Sequence, residues 1–246
     1  MYSILIIFFA LWVVVFLSLR LRGKLETFDL WFSFSVWLLF FLAAWGKTFW
    51  FHLIVLSLVS VWSISLIALV FLRTVSLGDD FRYQEIKNLP KATVFQIIAS
   101  ALTASPSICL QYEVELVWYR AIFLLLAFVF LCLKLWCDFF LLWHRLNRSG
   151  LLTTNFWKIV RYPNYLFEIL FWTSIALSNF NANYWWIGLL SPIFIAITLT
   201  FFSGIPLLEK RLLERYGSTF LEYTSKTPKL VPLNLFKVKC LFQKNQ

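Results

Sequence analysis

Residues 116–142 read LVWYRAIFLLLAFVFLCLKLWCDFFLL, an apolar run in which only Arg120, Lys134 and Asp138 are charged. The hydrocarbon core of a bilayer is about 30 Å thick, so about 20 consecutive apolar residues form a transmembrane helix. The stretch therefore predicts a membrane-spanning helix, and its few charged residues need an explanation of their own.

The composition of the whole chain indicates an integral membrane protein. Of its 246 residues, 61% are hydrophobic and 14% are charged, and Phe and Trp number 28 and 13. This is more apolar surface than the core of a soluble domain could bury. Because the polar stretches are all short, we predict a single integral membrane domain over residues 1–246.

Seven stretches have the length and apolar character of transmembrane helices. They cover residues 2–19, 29–46, 49–72, 92–110, 116–142, 164–179 and 184–203. The charges of the first stretch follow it and no cleavage site is evident, so we interpret it as an uncleaved span. Lys and Arg number three, four and four in the first, third and fifth connections and eight after residue 205. Together the seven spans predict an all-α membrane bundle. The positive-inside rule then predicts that its N-terminus is outside and its C-terminus is in the cytoplasm.

The formal net charge of +10 follows from this topology. A basic cytoplasmic face is expected of any such protein, and without a soluble module we expect no nucleic-acid partner. The four cysteines show no CxxC spacing, so we predict neither a disulfide framework nor a metal site. Residues 206–246 are predicted to be a basic cytoplasmic tail. Within it, apolar residues at helical spacing over 206–223 indicate an amphipathic helix on the membrane surface or a plain solvated helix.

Polar residues inside two spans are the candidate functional groups. Lys134 and Asp138 are four residues apart, Arg145 follows on roughly the same helix face, and Asn164 and Glu168 are four apart in the next span. An ionisable residue in a bilayer is costly, which favours a functional role. Two structural alternatives stay open: a self-neutralising Lys134–Asp138 pair, and a packing clasp between Glu168 and a neighbouring helix, for example against Lys134.

Both polar groups are predicted near the cytoplasmic side, joined by a connection that carries Arg148, Lys158 and Arg161. Arginines suit phosphate groups, and Asn and Glu suit ribose hydroxyls or a carboxamide, so this set predicts a large anionic cofactor between helices. The GxGxxG, Walker and HExxH motifs are absent, so the usual soluble cofactor motifs do not apply.

Residues 147–172, NRSGLLTTNFWKIVRYPNYLFEILFW, resemble the bacterial membrane proteins of the steroid 5α-reductase-like superfamily. The hallmark of that group is Gly-Leu-Trp, a spacer, and Arg-His-Pro-Asn-Tyr-x-Gly-Glu. FDLWF at 28–32, GDDFRYQEI at 78–86 and SGIPLLEKRLLERYGSTFLEYTSKTPKLVP at 203–232 agree with it. The resemblance implies a seven-helix bundle that binds NADPH and reduces a carbon-carbon double bond conjugated to a carbonyl in a steroid- or lipid-like substrate.

The same resemblance implies the residues of the site. The residues that it assigns to cofactor binding are Asp138, Arg145, Arg161, Asn164, Tyr165 and Glu168. Of these, Asp138 and Arg145 are expected to bind the nucleotide portion of the cofactor.

The sequence departs from the hallmark at four positions. Tyr162 replaces His, Asn155 and Phe167 replace Gly, and Lys134 stands where a polar or acidic residue is usual. A Phe at 167 is expected to narrow the approach of a cofactor to the helix.

No catalytic residue can be assigned from the sequence. Glu26, Asp29 and Tyr83 are the candidates in the N-terminal half for the acid that polarises the carbonyl. Helix capping or interfacial anchoring accounts for Asp29 and Tyr83 better than catalysis does.

Two other functions remain open. The first is a membrane methyltransferase, because isoprenylcysteine carboxyl methyltransferases share the Arg-His-Pro-x-Tyr type of signature and bind S-adenosylmethionine. The second is a catalytically degenerate membrane protein that binds lipid. In each case the expected partners are the lipid bilayer and a lipid-like small molecule. The expected location is a bacterial inner membrane or a membrane of the endoplasmic reticulum type.

Overall fold

Helices account for the regular secondary structure of the described residues. The computed structural model describes residues 7–8, 10–13, 15, 27–47, 49–77, 89–202 and 204–231. Its α-helices include α1 Thr27–Ala44, α2 Trp50–Leu77, α3 Leu89–Thr103, α4 Trp118–Asn147, α5 Pro163–Ser178, α6 Leu190–Ile197 and α7 Ile205–Lys226. No strand occurs in these ranges, and the prediction of an all-α fold is confirmed.

Several of these helices are long and apolar enough to cross a membrane. The candidate spans in the described part of the chain are Trp50–Ser76, Trp118–Asn147 and Trp185–Lys226, with α3 and the short helix after it as a fourth if that bent pair is one span. These spans agree with a membrane protein. The predicted total of seven spans and their orientation stay predictions, and the span over 2–19 lies largely outside the described residues.

Pro106 breaks one of the predicted spans. The sequence predicts a single helix over 92–110, but α3 ends at Thr103 and a 3-10 helix, Ser105–Gln111, follows at an angle of 49°. Proline lacks a backbone N–H and disfavours the α conformation of the residue before it, which explains the break. The span predicted over 184–203 also divides, into a 3-10 helix Trp185–Leu189, α6, and a π-helix Thr198–Phe202.

The main hydrophobic core lies between α2, α4 and α5. Phe51 and Trp62 of α2, Leu124 of α4, and Phe171 and Trp172 of α5 are almost fully buried in it. Helices α4 and α5 form the most extensive helix pair within the described ranges. Any polar residue on their facing surfaces is therefore held inside a packed, apolar environment.

Helix α7 packs against the connection between α4 and α5. The Tyr216 hydroxyl donates to the Gly150 carbonyl at 3.1 Å, and the Tyr223 hydroxyl donates to the Trp157 carbonyl at 2.5 Å. Gly217 interrupts the helical geometry with φ 50° and ψ −123°. A helix is thus present where the sequence predicts one, while its contact with a membrane surface stays a prediction.

Gly204 permits the tight turn between the π-helix and α7. A Cβ atom at this position would lie 2.6 Å from the Leu199 carbonyl oxygen and 3.1 Å from Cε2 of Tyr165. Atoms do not approach a Cβ so closely, so glycine is the residue that fits here. The turn brings the start of α7 next to the start of α5.

Candidate functional site

The polar residues predicted on α4 and α5 meet between these two helices. Lys134 Nζ lies 3.0 Å from Asp138 Oδ2 on the same helix and 3.5 Å from Glu168 Oε2 on α5. The Asn164 side-chain amide donates to Asp138 Oδ1 at 3.1 Å. Helical spacing of four residues places each pair on one face, and the extensive packing of α4 on α5 brings the two faces together.

Two tryptophans hold the other oxygen of Glu168. The indole N–H of Trp62 on α2 donates to Glu168 Oε1 at 2.7 Å, and that of Trp172 on α5 donates to the same atom at 3.0 Å. The two indole rings meet edge to face, with centroids 5.0 Å apart. This carboxylate therefore links three helices and is fixed in position by donors that are themselves packed in the core.

Lys134, Asp138, Asn164 and Glu168 form a cluster whose formal charge is −1, because one lysine lies between two acidic residues. The Lys134 side chain is 5% exposed, and those of Asp138 and Glu168 are 9% and 16% exposed. Both structural alternatives from the sequence, the Lys134–Asp138 pair and the Glu168–Lys134 clasp, are thus present as contacts. Assignment of Asp138, Asn164 and Glu168 to a cofactor stays a prediction.

Arg161 joins a second charged group at the start of α5. Its Nη1 lies 2.9 Å from Glu209 Oε1 of α7, and Lys229 Nζ lies 3.1 Å from Glu209 Oε2. The backbone N–H groups of Arg161 and Tyr162 donate to the carbonyls of Pro228 and Lys229. The segment after α7 therefore fastens onto the residues that lead into α5, and two cations there share one carboxylate.

Tyr162 and Tyr165 lie beside this second group. Their rings stack with centroids 5.9 Å apart, and Tyr162 is 5% exposed. Burial, and secondarily the nearby Glu209 carboxylate, raises the pKa of the Tyr162 hydroxyl, which keeps it protonated and able to donate. That hydroxyl and the Nε of Arg161 are buried without a hydrogen-bond partner among the described residues.

Arg145 lies further along α4 than Lys134 and Asp138. It is exposed near the end of α4, about 10 Å further along the helix axis than Asp138. The predicted partnership of Arg145 with Asp138 therefore needs a ligand long enough to reach both.

The departures from the hallmark have local structural explanations. Asn155 adopts φ 56°, a left-handed conformation that Gly and Asn tolerate best, so it meets the backbone requirement of that position. Phe167 packs against Phe130 and Phe156, within the cluster of apolar side chains around Trp157. Its ring is thereby held on the side of α5 that faces α4 and the connection between α4 and α5.

Sequence reasoning missed three of the site's contacts. Trp172 is four residues after Glu168 and is detectable from helical spacing, whereas Trp62 and Glu209 come from distant parts of the chain. Of the N-terminal candidates, Asp29 Oδ2 lies 3.8 Å from Arg73 Nη2, which links α1 to α2. Glu26 and Tyr83 lie outside the described residues.

The chemistry of these residues fits a nucleotide cofactor. Asn164 and Glu168 provide a donor and an acceptor for ribose hydroxyls or a carboxamide, and Arg161 and Lys229 provide cations for phosphates. The Tyr162 hydroxyl and Arg161 Nε, which have no partner in the part of the chain that the structure describes, are buried donors of the kind that a ligand or an ordered water normally satisfies. No group of three or more metal-ligating side chains occurs in the ranges that the structure covers.

Comparison with known proteins gives one match. No curated protein and no solved structure matches this chain. Residues 12–227 match the family described as "Protein of unknown function (DUF1295)". Since this match covers most of the chain, the protein belongs to that family.

Proposed function

We propose that this protein is a membrane-embedded reductase that uses NADPH to reduce a conjugated carbon-carbon double bond in a steroid- or lipid-like substrate. The resemblance of residues 147–172 to the steroid 5α-reductase-like superfamily supports the proposal. A cluster of charged residues buried between apolar helices also supports it, because such clusters in membrane proteins commonly serve ligand binding or proton movement.

The position of Lys134 is the observation that favours NADPH over S-adenosylmethionine. Its ammonium lies within 3.5 Å of both carboxylates, where a ligand cation would bind most favourably. S-adenosylmethionine carries a sulfonium and an ammonium and would compete with Lys134 for this place. The nicotinamide carboxamide and the ribose hydroxyls of NADPH are neutral donors, which the remaining acceptor sites of the carboxylates can accept without displacing the lysine.

Each group of residues has a distinct task in this proposal. Asn164 and Glu168 orient the nicotinamide end by hydrogen bonds, and the indoles of Trp62 and Trp172 fix the Glu168 carboxylate and exclude water. Arg161 compensates phosphate charge at the start of α5. NADPH, when bound, supplies the hydride. The apolar faces of the bundle suit a lipid-like substrate that enters from the bilayer.

The proposed arrangement in the membrane has seven spans, the N-terminus outside and the C-terminus in the cytoplasm. It rests on the alternation of Lys and Arg between connections, and it places the basic connection after α4 and the segment around α7 on the same cytoplasmic side. NADPH is available there, so the topology and the proposed cofactor agree. The membrane is a bacterial inner membrane or one of the endoplasmic reticulum type.

Cofactor binding by purified protein in mild detergent tests the proposal. NADPH at about 100 times its Kd should stabilise the protein by about 2.7 kcal/mol, which corresponds to a rise in Tm of roughly 5 to 11 °C. S-adenosylmethionine at the same concentration should leave Tm unchanged. Energy transfer from tryptophan to NADPH gives an independent reading of affinity.

Glu168→Gln is the site variant and Glu222→Gln is its matched control. The site variant keeps the shape of the side chain but replaces a charged acceptor, so NADPH affinity should fall by about 1.5 to 3 kcal/mol, or roughly tenfold to more than a hundredfold. Glu222 is exposed on α7 and contacts Lys226, so its variant should bind like the parent. Stabilisation by S-adenosylmethionine alone, or parental NADPH affinity in Glu168→Gln, contradicts the proposal.

A further inference from the structure

A second buried charge lies at the opposite end of α4. Arg120, in the first turn of this helix, is 7% exposed and lies about 21 Å along the helix axis from Lys134. Its Nη1 donates to the Glu115 carbonyl at 2.7 Å and its Nη2 donates to the Phe180 carbonyl at 3.1 Å. Its Nε is buried and has no hydrogen-bond partner within the described ranges.

No carboxylate among the described residues pairs with the Arg120 guanidinium. The ion pairs of the described chain do not include it. The guanidinium carbon lies 5.7 and 5.5 Å from the ring centroids of Phe51 and Tyr119. These rings and the two carbonyl oxygens offset part of the free-energy cost of burying the charge. An anionic partner would stabilise a buried charge of this kind strongly, because the charge has already been removed from water in the folded protein.

An apolar groove of about 270 Å³ lies between α2 and α4. It is lined by Ile54, Leu58, Leu116, Ala121, Leu124, Leu125 and Phe128. Leu125 and Phe128 are more than half exposed, so the groove is open along the outer surface of the bundle. A chain of methylene groups could therefore enter it sideways from the hydrocarbon region of a membrane.

Arg120 does not line the groove itself, but its neighbours on both helices lead into it. On α2, Phe51 contacts the guanidinium, and Ile54 and Leu58 follow on the same helix face toward the groove. On α4, Ala121 comes directly after Arg120 and lines the groove. A ligand that filled the groove would thus have its end beside the buried arginine.

We propose that Arg120 and the groove form a binding site for a long-chain fatty acid, with the carboxylate at the guanidinium and the acyl chain between α2 and α4. Any lipid could place a chain in an open apolar groove, and Arg120 adds selection for an anion. The Nε and Nη groups of arginine suit a planar carboxylate, which they bind with two parallel hydrogen bonds. Because Arg120 is only 7% exposed, a small carboxylate fits beside it better than a bulky phosphodiester headgroup.

Binding of radiolabelled palmitate to the purified full-length protein in mild detergent tests this site. Binding should be saturable and displaced by unlabelled palmitate, whereas methyl palmitate should compete at least about tenfold more weakly because it lacks the charge. Ala121→Phe fills the groove and leaves the carbonyl contacts of Arg120 in place, so it should weaken palmitate binding at least about tenfold without lowering Tm. The test therefore does not depend on the folding of an Arg120 variant.

Two control variants separate this site from general effects on lipid binding. Ile122→Phe adds a ring at a half-exposed position of α4 that does not line the groove, and Arg148→Gln removes an exposed arginine that lies over Trp143 at the other end of the helix. Both should bind palmitate like the parent. Equal competition by methyl palmitate, stronger competition by phosphatidate, unchanged binding in Ala121→Phe, or no saturable binding at all overturns the inference.

Discussion

Replacing Lys134 with methionine should destabilise the protein strongly, since it removes the ammonium between two buried carboxylates. Methionine keeps an unbranched side chain of similar length, so the packing between α4 and α5 changes little. Asp138 and Glu168 lose the cation that lies 3.0 and 3.5 Å from their oxygens and remain mostly buried as neighbouring like charges. The loss is therefore electrostatic in origin.

The contacts that Asp138 and Glu168 keep after the substitution determine how much stability is lost. Removing one partner of a buried ion pair typically costs 3 to 5 kcal/mol. Asp138 keeps the amide of Asn164 and Glu168 keeps two indole donors, which places the expected cost at the lower end, about 3 kcal/mol. For a chain of this size that corresponds to a decrease in Tm of roughly 6 to 12 °C.

Thermal unfolding in mild detergent measures this effect in a double-mutant cycle. Lys134→Met, Glu168→Gln and the double variant are compared with the parent, and Lys158→Met serves as the control because Lys158 is exposed. Glu168→Gln removes one of the two stranded charges, so the double variant should lose at least about 1 kcal/mol less than the sum of the single variants. A Tm of Lys134→Met equal to that of the parent, or strict additivity, would refute the electrostatic reasoning.

Three further results are expected. Arg145→Ala should weaken NADPH binding by about 1 to 3 kcal/mol in a titration without unfolding the protein, and unchanged affinity would make Arg145 an interfacial anchor instead. In a cysteine-free background, a single cysteine at Glu113 should react with a membrane-impermeant maleimide on intact cells and one at Arg148 only after permeabilisation; the reverse pattern contradicts the topology. Gly217→Ala should lower Tm by roughly 2 to 4 °C, because φ 50° costs a residue with a Cβ about 1 kcal/mol, and an unchanged Tm argues against strain there.

Local patterns account for the parts of the fold that were predicted well. The spans predicted over 49–72, 116–142 and 164–179 correspond to α2, α4 and α5, with ends that differ by five residues or fewer. Apolar length and helical spacing are properties of consecutive residues, and a helix satisfies its own backbone hydrogen bonds in an apolar environment. The break at Pro106 is also local, yet hydropathy averages across it and predicts one continuous helix.

The same distinction applies to the site. Spacing of four residues predicts the pairs Lys134 with Asp138 and Asn164 with Glu168, because both members of each pair lie on one helix face. Spacing cannot predict the indole of Trp62 on Glu168, a contact between residues 106 positions apart.

The sequence by itself determined that this chain is an all-α protein whose helices include several long and apolar enough to cross a membrane, with a few costly charges inside them. Composition and periodicity are properties of the amino-acid sequence alone. Only the tertiary structure decided what those charges contact. The packing of α4 on α5 places the Lys134 ammonium between the carboxylates of Asp138 and Glu168. The position of α7 brings Glu209 within ion-pair distance of Arg161. The tertiary structure also brought Arg120 against Phe51, one turn before the residues of α2 that line an apolar groove. These contacts depend on how helices rotate and pack, which is set by the fit of many distant side chains together.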